Sequence, residues 1–180
     1  VKDGKFSFSF IVPKDIAYNY GAGKISYYAV SDDENPVDAS GSEKGFVIGG
    51  SADNVVYDYD EAELSLFINT RTFKDGGITD ENPILIADVF DESGINTVGN
   101  GIGHDITALL DGNTSNPYVL NDFYEAAKDD FTKGIINFPL YNLEKGEHTL
   151  TLKVWDVFNN SSEATISFVV SHENEFTIAD

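Results

Sequence analysis

The chain has 180 residues, 41% of them hydrophobic and 13% aromatic, values of a globular sequence with room for one large β domain or a smaller one with a companion. Eleven Lys and Arg against 31 Asp and Glu give a formal charge of −20, a field that repels nucleic acid and anionic lipid. Cysteine is absent, which excludes thiol nucleophiles, disulfides and Cys-ligated zinc.

In chain order, Phe6, Phe8 and Phe10 alternate with Lys5, Ser7 and Ser9 until Pro13, which predicts a first strand. Residues 24–30 (KISYYAV) predict a second strand, paired with the first. The polar, acidic run 31–45, broken by Pro36, reads as a loop, and Asp32, Asp33 and Glu34 as its solvated face. Phe46, Val47 and Ile48 form a short strand closed by Gly49 and Gly50, with a linker expected near residues 49–54. Leu64, Leu66 and Ile68 alternate with Glu63, Ser65 and Phe67, the next strand. Residues 84–90 (ILIADVF) form an almost continuous apolar run, the pattern of a strand partly covered on both faces. A strand over 106–110 runs into an Asp-Gly turn. Asn121 could cap a short helix through Lys128, favoured by Ala126 and Ala127, but the stretch is little longer than two turns, so one or two helical turns inside a long loop are expected. Residues 135–140 form a further strand with Pro139 at an edge or end.

The strongest pattern closes the chain. His148, Leu150, Leu152, Val154 and Asp156 share one parity, and Ala164, Ile166, Phe168 and Val170 share one after the turn-forming Asn159 and Asn160. This is a hairpin with one apolar face, which a second sheet must cover. The expected fold class is therefore all-β: an immunoglobulin-like antiparallel β-sandwich over residues 51–171, preceded by a smaller β-strand segment over 1–50 and followed by a tail at 172–180. No apolar run approaches the roughly 18 residues of a membrane-spanning helix, and no signal peptide opens the chain. It starts at VKDGKFSFSF, apparently inside structure, so it reads as a piece of a longer protein.

The candidate sites are few. Asp91 and Asp156 each end an apolar strand just before a turn, and Asp105 adjoins a third, so the three carboxylates are candidate calcium ligands; an Asp in such a place also caps its turn without any ion. His104, between Gly103 and Asp105, is a candidate to bind metal or to orient a base; His148 lies in a strand and His172 in the tail, and none has a second ligand at zinc spacing. Tyr18, Tyr20 and Tyr28 are candidates for a glycan platform. Trp155 lies on the parity opposite Leu152, where it covers a core edge or meets a neighbouring domain. No catalytic or cofactor-binding motif is present.

DVFDESGIN (88–96) and GEHTLTLKVWDVFNNSSEATISFVV (146–170) resemble the paired D-x-S-G-I and W-D-x-x-N-N signatures of bacterial immunoglobulin-like modules. IVPKDIAYNYGAGKISYYA, NTVGNGIGHDITALLDG and the terminal hairpin are similar to the non-catalytic region downstream of the peptidase domain in gingipain-like cysteine peptidases, the type IX secretion sortases of Bacteroidetes. The resemblance implies a parent enzyme at the outer membrane that removes C-terminal sorting signals from cargo and transfers the cargo to a lipopolysaccharide anchor. It implies the parent peptidase domain and secretion-system proteins as partners, an extracellular or cell-surface location, and no direct membrane insertion. The catalytic residues of such peptidases are a Cys and a His, and with no Cys here no catalytic position carries over. An accessory role remains, beside the alternative of an independent glycan- or calcium-binding module.

Overall fold

Residues 146–170 form the hairpin on which the structure is built. It is seen in a computed structural model that describes residues 5–14, 19–32, 34–50, 57–98 and 103–171. The chain divides into two units, Ile16–Val56 and Val1–Asp15 with Tyr57–Asp180.

The smaller unit holds strands β1 (Gly21–Ala22), β2 (Ile25–Val30), β3 (Asp38–Glu43) and β4 (Val47–Ile48), with β1 paired to β4 and β2 to β3, both antiparallel. The larger unit holds β5 (Glu63–Ile68), β6 (Gly77–Thr79), β7 (Ile84–Phe90), β8 (Thr107–Leu110), β9 (Tyr118–Val119), β10 (Tyr124–Ala127), β11 (Asp130–Pro139), β12 (Gly146–Trp155) and β13 (Ser161–Val170). They make two sheets, one in the order β10-β11-β7-β5 and one in the order β6-β13-β12-β8-β9. Every pair is antiparallel except β6 with β13, which run parallel. The protein is an all-β sandwich, and its only helical piece among the described residues is the 3-10 turn Asn121–Phe123.

The core lies where the alternation predicts. Leu150, Leu152 and Val154 of β12 are fully buried, opposite Ile166, Ala164 and Ser162 of β13. Leu85, Ala87 and Val89 of β7 and Ile136 of β11 face them from the other sheet. Burial of a Leu or Ile side chain contributes about 1.5–3 kcal/mol, so this interior, with no disulfide, carries the fold. The Asp-Gly turn after β8 has Asp111 at φ 51° and Gly112 at φ 67°, the two left-handed residues of a type I′ turn, closed by Asn113 N–H to the Leu110 carbonyl at 2.9 Å.

Four expectations are corrected. Residues 6–12 form no strand; Phe6, Phe8 and Phe10 are exposed and their rings stack along the chain at 6.4 and 6.0 Å between centroids. Their alternation satisfies the strand period, but the partner expected for them, β2, pairs with β3 instead. That partner lies within the run 31–45, read as a loop because DASGSE carries no apolar face; both its faces are exposed, so burial leaves no pattern on it. Of the helical turns and long loop expected around 121–128, the structure has one 3-10 turn at Asn121–Phe123 followed by a strand in place of loop. Ala126 and Ala127 belong to β10, where Glu125 pairs with Ile135 and Ala126 with Gly134; the ladder to β11 overrides their helical preference. The sheets are also not wholly antiparallel, since β6 joins β13 in parallel.

The linker expected at 49–54 and the tail at 172–180 fall largely outside the described residues.

Candidate functional site

The two signature turns meet at one end of the sandwich. After β7, the buried Asp91 carboxylate turns back on its own loop: Oδ1 accepts Ser93 N–H at 2.9 Å and Gly94 N–H at 2.8 Å. After β12, Asp156, fully buried, repeats the arrangement: Oδ1 accepts Phe158 N–H at 2.9 Å and Asn160 N–H at 2.7 Å, and Oδ2 accepts Asn160 Nδ2–H at 2.6 Å. These are side-chain caps on tight turns, which Gly94 (φ 93°) and Asn159 (φ 69°) close in left-handed conformations. The turns are then stitched to each other. Asn96 N–H donates to the Trp155 carbonyl at 2.8 Å and Val157 N–H to the Gly94 carbonyl at 3.1 Å, while Lys14 N–H reaches the Val157 carbonyl at 2.8 Å.

A third carboxylate joins them. Asp58 accepts a hydrogen bond from Ser93 Oγ, and its carbonyl accepts Asn160 Nδ2–H at 3.1 Å. Ligand atoms of Asp58, Asp91 and Asp156 all lie within 4.8 Å of one another. Burial, followed by the charges of Asp156 and Asp58, pushes Asp91 up to about 6 against the pull of its two backbone donors. Burial also raises Asp156. Chemically the cluster offers oxygen to a cation, yet both Oδ1 atoms already serve backbone N–H groups, the capping role that needs no ion. Asp105 is not part of it, so of the three expected carboxylates the structure brings together two and supplies Asp58 as a third. Nothing in the YDYD alternation of residues 57–60 distinguishes Asp58 in sequence; its place is set by Ser93 and Asn160, which lie 35 and 102 positions away.

His148 has a partner that sequence distance hides. Its Nδ1 lies 2.8 Å from Asp111 Oδ2, 37 positions away on the β8 turn, and its Nε2 lies 2.8 Å from the Glu144 carbonyl. The ring also stacks on Phe168 at 5.7 Å. Burial opposes its charge, but the Glu144 carbonyl and the Asp111 carboxylate outweigh burial and raise the pKa. With an acceptor facing each nitrogen, both ring nitrogens are engaged and neither is placed to take a proton from a nucleophile.

His104 packs on Trp155 at 4.3 Å between ring centroids, and Lys153 Nζ lies 5.0 Å from that indole's centroid on its way to Glu163. Trp155 therefore serves as a half-buried platform at the sandwich edge. Tyr20 and Tyr28 are 79% and 70% exposed, and Tyr18 and His172 lie outside the described residues.

A two-sheet β-sandwich, tied at one end by interlocked Asp-capped turns, is the class of domain that fold and site define. Among solved structures it is similar to dimeric latent PorU from Porphyromonas gingivalis, with 38% identity and a TM-score of 0.64, over 91% of this chain and 15% of that one. The chain is thus related to a region of PorU and spans only about 15% of that protein's length. An endo-beta-1,4-mannanase from Thermotoga petrophila aligns at 19% identity and a TM-score of 0.43, over 64% of this chain and 21% of that chain, too slight a likeness to argue from. No protein-family model and no curated protein matches the chain. No helix among the described residues is long and apolar enough to cross a membrane.

Proposed function

We propose that the chain is a non-catalytic, immunoglobulin-like accessory module of a larger gingipain-like cysteine peptidase of the type IX secretion sortase kind. In this reading it positions the peptidase domain or its cargo at the cell surface. The observation that carries the reading is the relation to PorU along nearly the whole chain, at a small fraction of PorU's length.

Two further features support it. In the first fifty residues Phe6, Phe8, Phe10, Tyr28, Val30, Val37 and Val47 are all exposed, the surface expected of a segment whose packing partner lies elsewhere in a larger protein. The sequence has no Cys to serve as the nucleophile of such a peptidase, and the dyad-like His148 is already saturated. The competing reading, an independent glycan- or calcium-binding module, has less behind it. Asp91 and Asp156 are committed to turn N–H groups, while Tyr20 precedes β1 and Tyr28 lies in β2, so the two do not share a strand.

The test is capture of the native protein from the source cells' surface fraction with an antibody to this chain, followed by mass spectrometry of the captured polypeptide. The expected result is one long polypeptide with a cysteine peptidase domain joined to this module. A polypeptide lacking any peptidase domain overturns the proposal.

A further inference from the structure

An antiparallel sheet with one face on the core usually turns a polar face to water. The outer face of the four-stranded sheet instead sets apolar side chains among its charged ones. Strand register places Glu63, Phe90 and Lys133 in one outward row and Ser65, Asp88, Ile135 and Glu125 in the next. Along them runs an open groove of about 460 Å³ whose apolar lining includes Phe90, Ile135 and Ala127. This outer face is why residues 84–90 read as apolar on both sides: Leu85, Ala87 and Val89 fill the core, and Ile86 and Phe90 are half-buried outside it.

The charges in the groove sort into spent and unspent. Asp88 is held by Arg71 through Nε at 2.8 Å and Nη2 at 2.6 Å, and this guanidinium keeps the carboxyl below its ordinary value. Lys133 Nζ lies 5.9 Å from the Phe90 ring centroid and 3.7 Å from Asp130. Glu63 on β5 and Glu125 on β10 remain, at opposite ends of the groove, and among the described residues neither has a hydrogen-bond or ion-pair partner. They stand three strand spacings apart, roughly 15 Å with the offset of one row. An extended chain covers about 13 Å in four residues and points positions i, i+2 and i+4 to one side. The side chain of a Lys or Arg covers the remainder.

We propose that this groove binds an extended peptide carrying basic residues at i and i+4 and an apolar residue at i+2, the cations on Glu63 and Glu125 and the apolar side chain on Phe90 and Ile135. The net charge of −20 adds steering toward a cationic segment and away from an acidic one. The inference is independent of the parentage proposed above, since it rests on this sheet alone.

The experiment titrates the isotope-labelled 180-residue chain with acetyl-Lys-Ser-Leu-Ser-Lys-amide at physiological salt and follows amide shifts by NMR. Controls are the same peptide with both Lys replaced by Glu, and with both replaced by Ser. Saturable shifts centred on residues 63, 90, 125 and 135, seen with the Lys peptide and lost or weakened about ten-fold or more with either control, support the proposal. The Glu63→Gln/Glu125→Gln double variant, whose exposed sites leave the fold intact, is expected to lose about ten-fold in affinity while its free spectrum stays that of the folded chain. No shift at millimolar peptide, shifts spread without saturation over the acidic surface, or equal binding by the Ser peptide or the double variant overturns it.

Discussion

Asp91→Asn is expected to stabilise the protein at pH 8. The folded carboxyl titrates at about 6 against an ordinary value of 3.8, a gap worth about 3 kcal/mol at 1.36 kcal/mol per pH unit. That free energy is the cost of holding the charge in a site only 4% exposed, within 4.8 Å of ligand atoms of Asp58 and Asp156. The amide keeps an Oδ1 that accepts from Ser93 and Gly94 N–H, and its Nδ2 donates toward the neighbouring carboxylates. Allowing for solvent screening, the gain at pH 8 is about 1–3 kcal/mol. The sign of the pH dependence follows from the raised value. The wild-type carboxyl contributes its full stability below its unfolded pKa, near 3.8, and loses that contribution as pH rises through about 6. The advantage of the variant therefore shrinks by roughly half between pH 8 and pH 5. Urea unfolding of both proteins at pH 5, 6.5 and 8, with chelator present so that no cation screens the cluster, measures the difference with every other carboxylate cancelled. A variant less stable than wild type at pH 8, or an advantage that does not change with pH, would refute the account of the cluster as three charges held together by turn geometry.

Leu152→Ala, at a fully buried position mid-way along β12, is expected to cost about 2–5 kcal/mol in the same assay, and a loss under about half a kcal/mol would mean that this face is not the core. Gly134→Ala brings a methyl to within 2.2 Å of the Tyr124 ring, with an expected cost of about 1–3 kcal/mol; combined with Tyr124→Ala the costs should fall short of additive, and simple additivity would place the strain elsewhere. His148→Gln removes a group whose pKa is raised by the Glu144 carbonyl and Asp111, so wild type should be the more stable protein at pH 6 and lose that margin as pH rises through the folded pKa; paired thermal melts from pH 6 to 8.5 read it. The purified chain should cleave no Arg-, Lys- or mixed-sequence peptide reporter, with or without divalent metal, and turnover that vanishes in His104→Ala would reveal an active site there.

The sandwich was legible wherever one face of a strand is buried and the other is not. β5, β12 and β13 announce themselves by parity because water and core select different residues at alternate positions, and β7 by its almost continuous apolar run. β3, polar on both sides, and β6, three residues long, receive no such selection and stayed hidden. Residues 6–12 show the opposite failure: Phe at every second position has the period of a strand, but pairing depends on what lies alongside. In the site, Asp91 and Asp156 were legible as strand-end carboxylates, and their two roles, cation ligand or turn cap, differ only in where Oδ1 points, which spacing does not encode. Asp58 and the Asp111–His148 pair depend on chain crossings of 35 and 37 positions, distances over which a single sequence gives no signal.

The parallel join of β6 to β13 sets Gly77 beside Phe168 and Thr79 beside Val170. β6 follows β5 in the chain, yet β5 belongs to the other sheet, so the segment between them carries the chain from one layer to the other. During synthesis β5, β6 and β7 leave the ribosome long before the strands that complete their layers. The second sheet cannot close until the last residues of β13 have emerged, since they fill the position between β6 and β12. Folding of the sandwich is therefore expected to be slow and all-or-none, gated by its own C-terminal strand, because contacts so distant in sequence bear the full entropy of loop closure before they return any stability. Until then the nascent chain presents an incomplete apolar layer and open strand edges, the condition in which an unfinished chain is most exposed to chaperones and to aggregation.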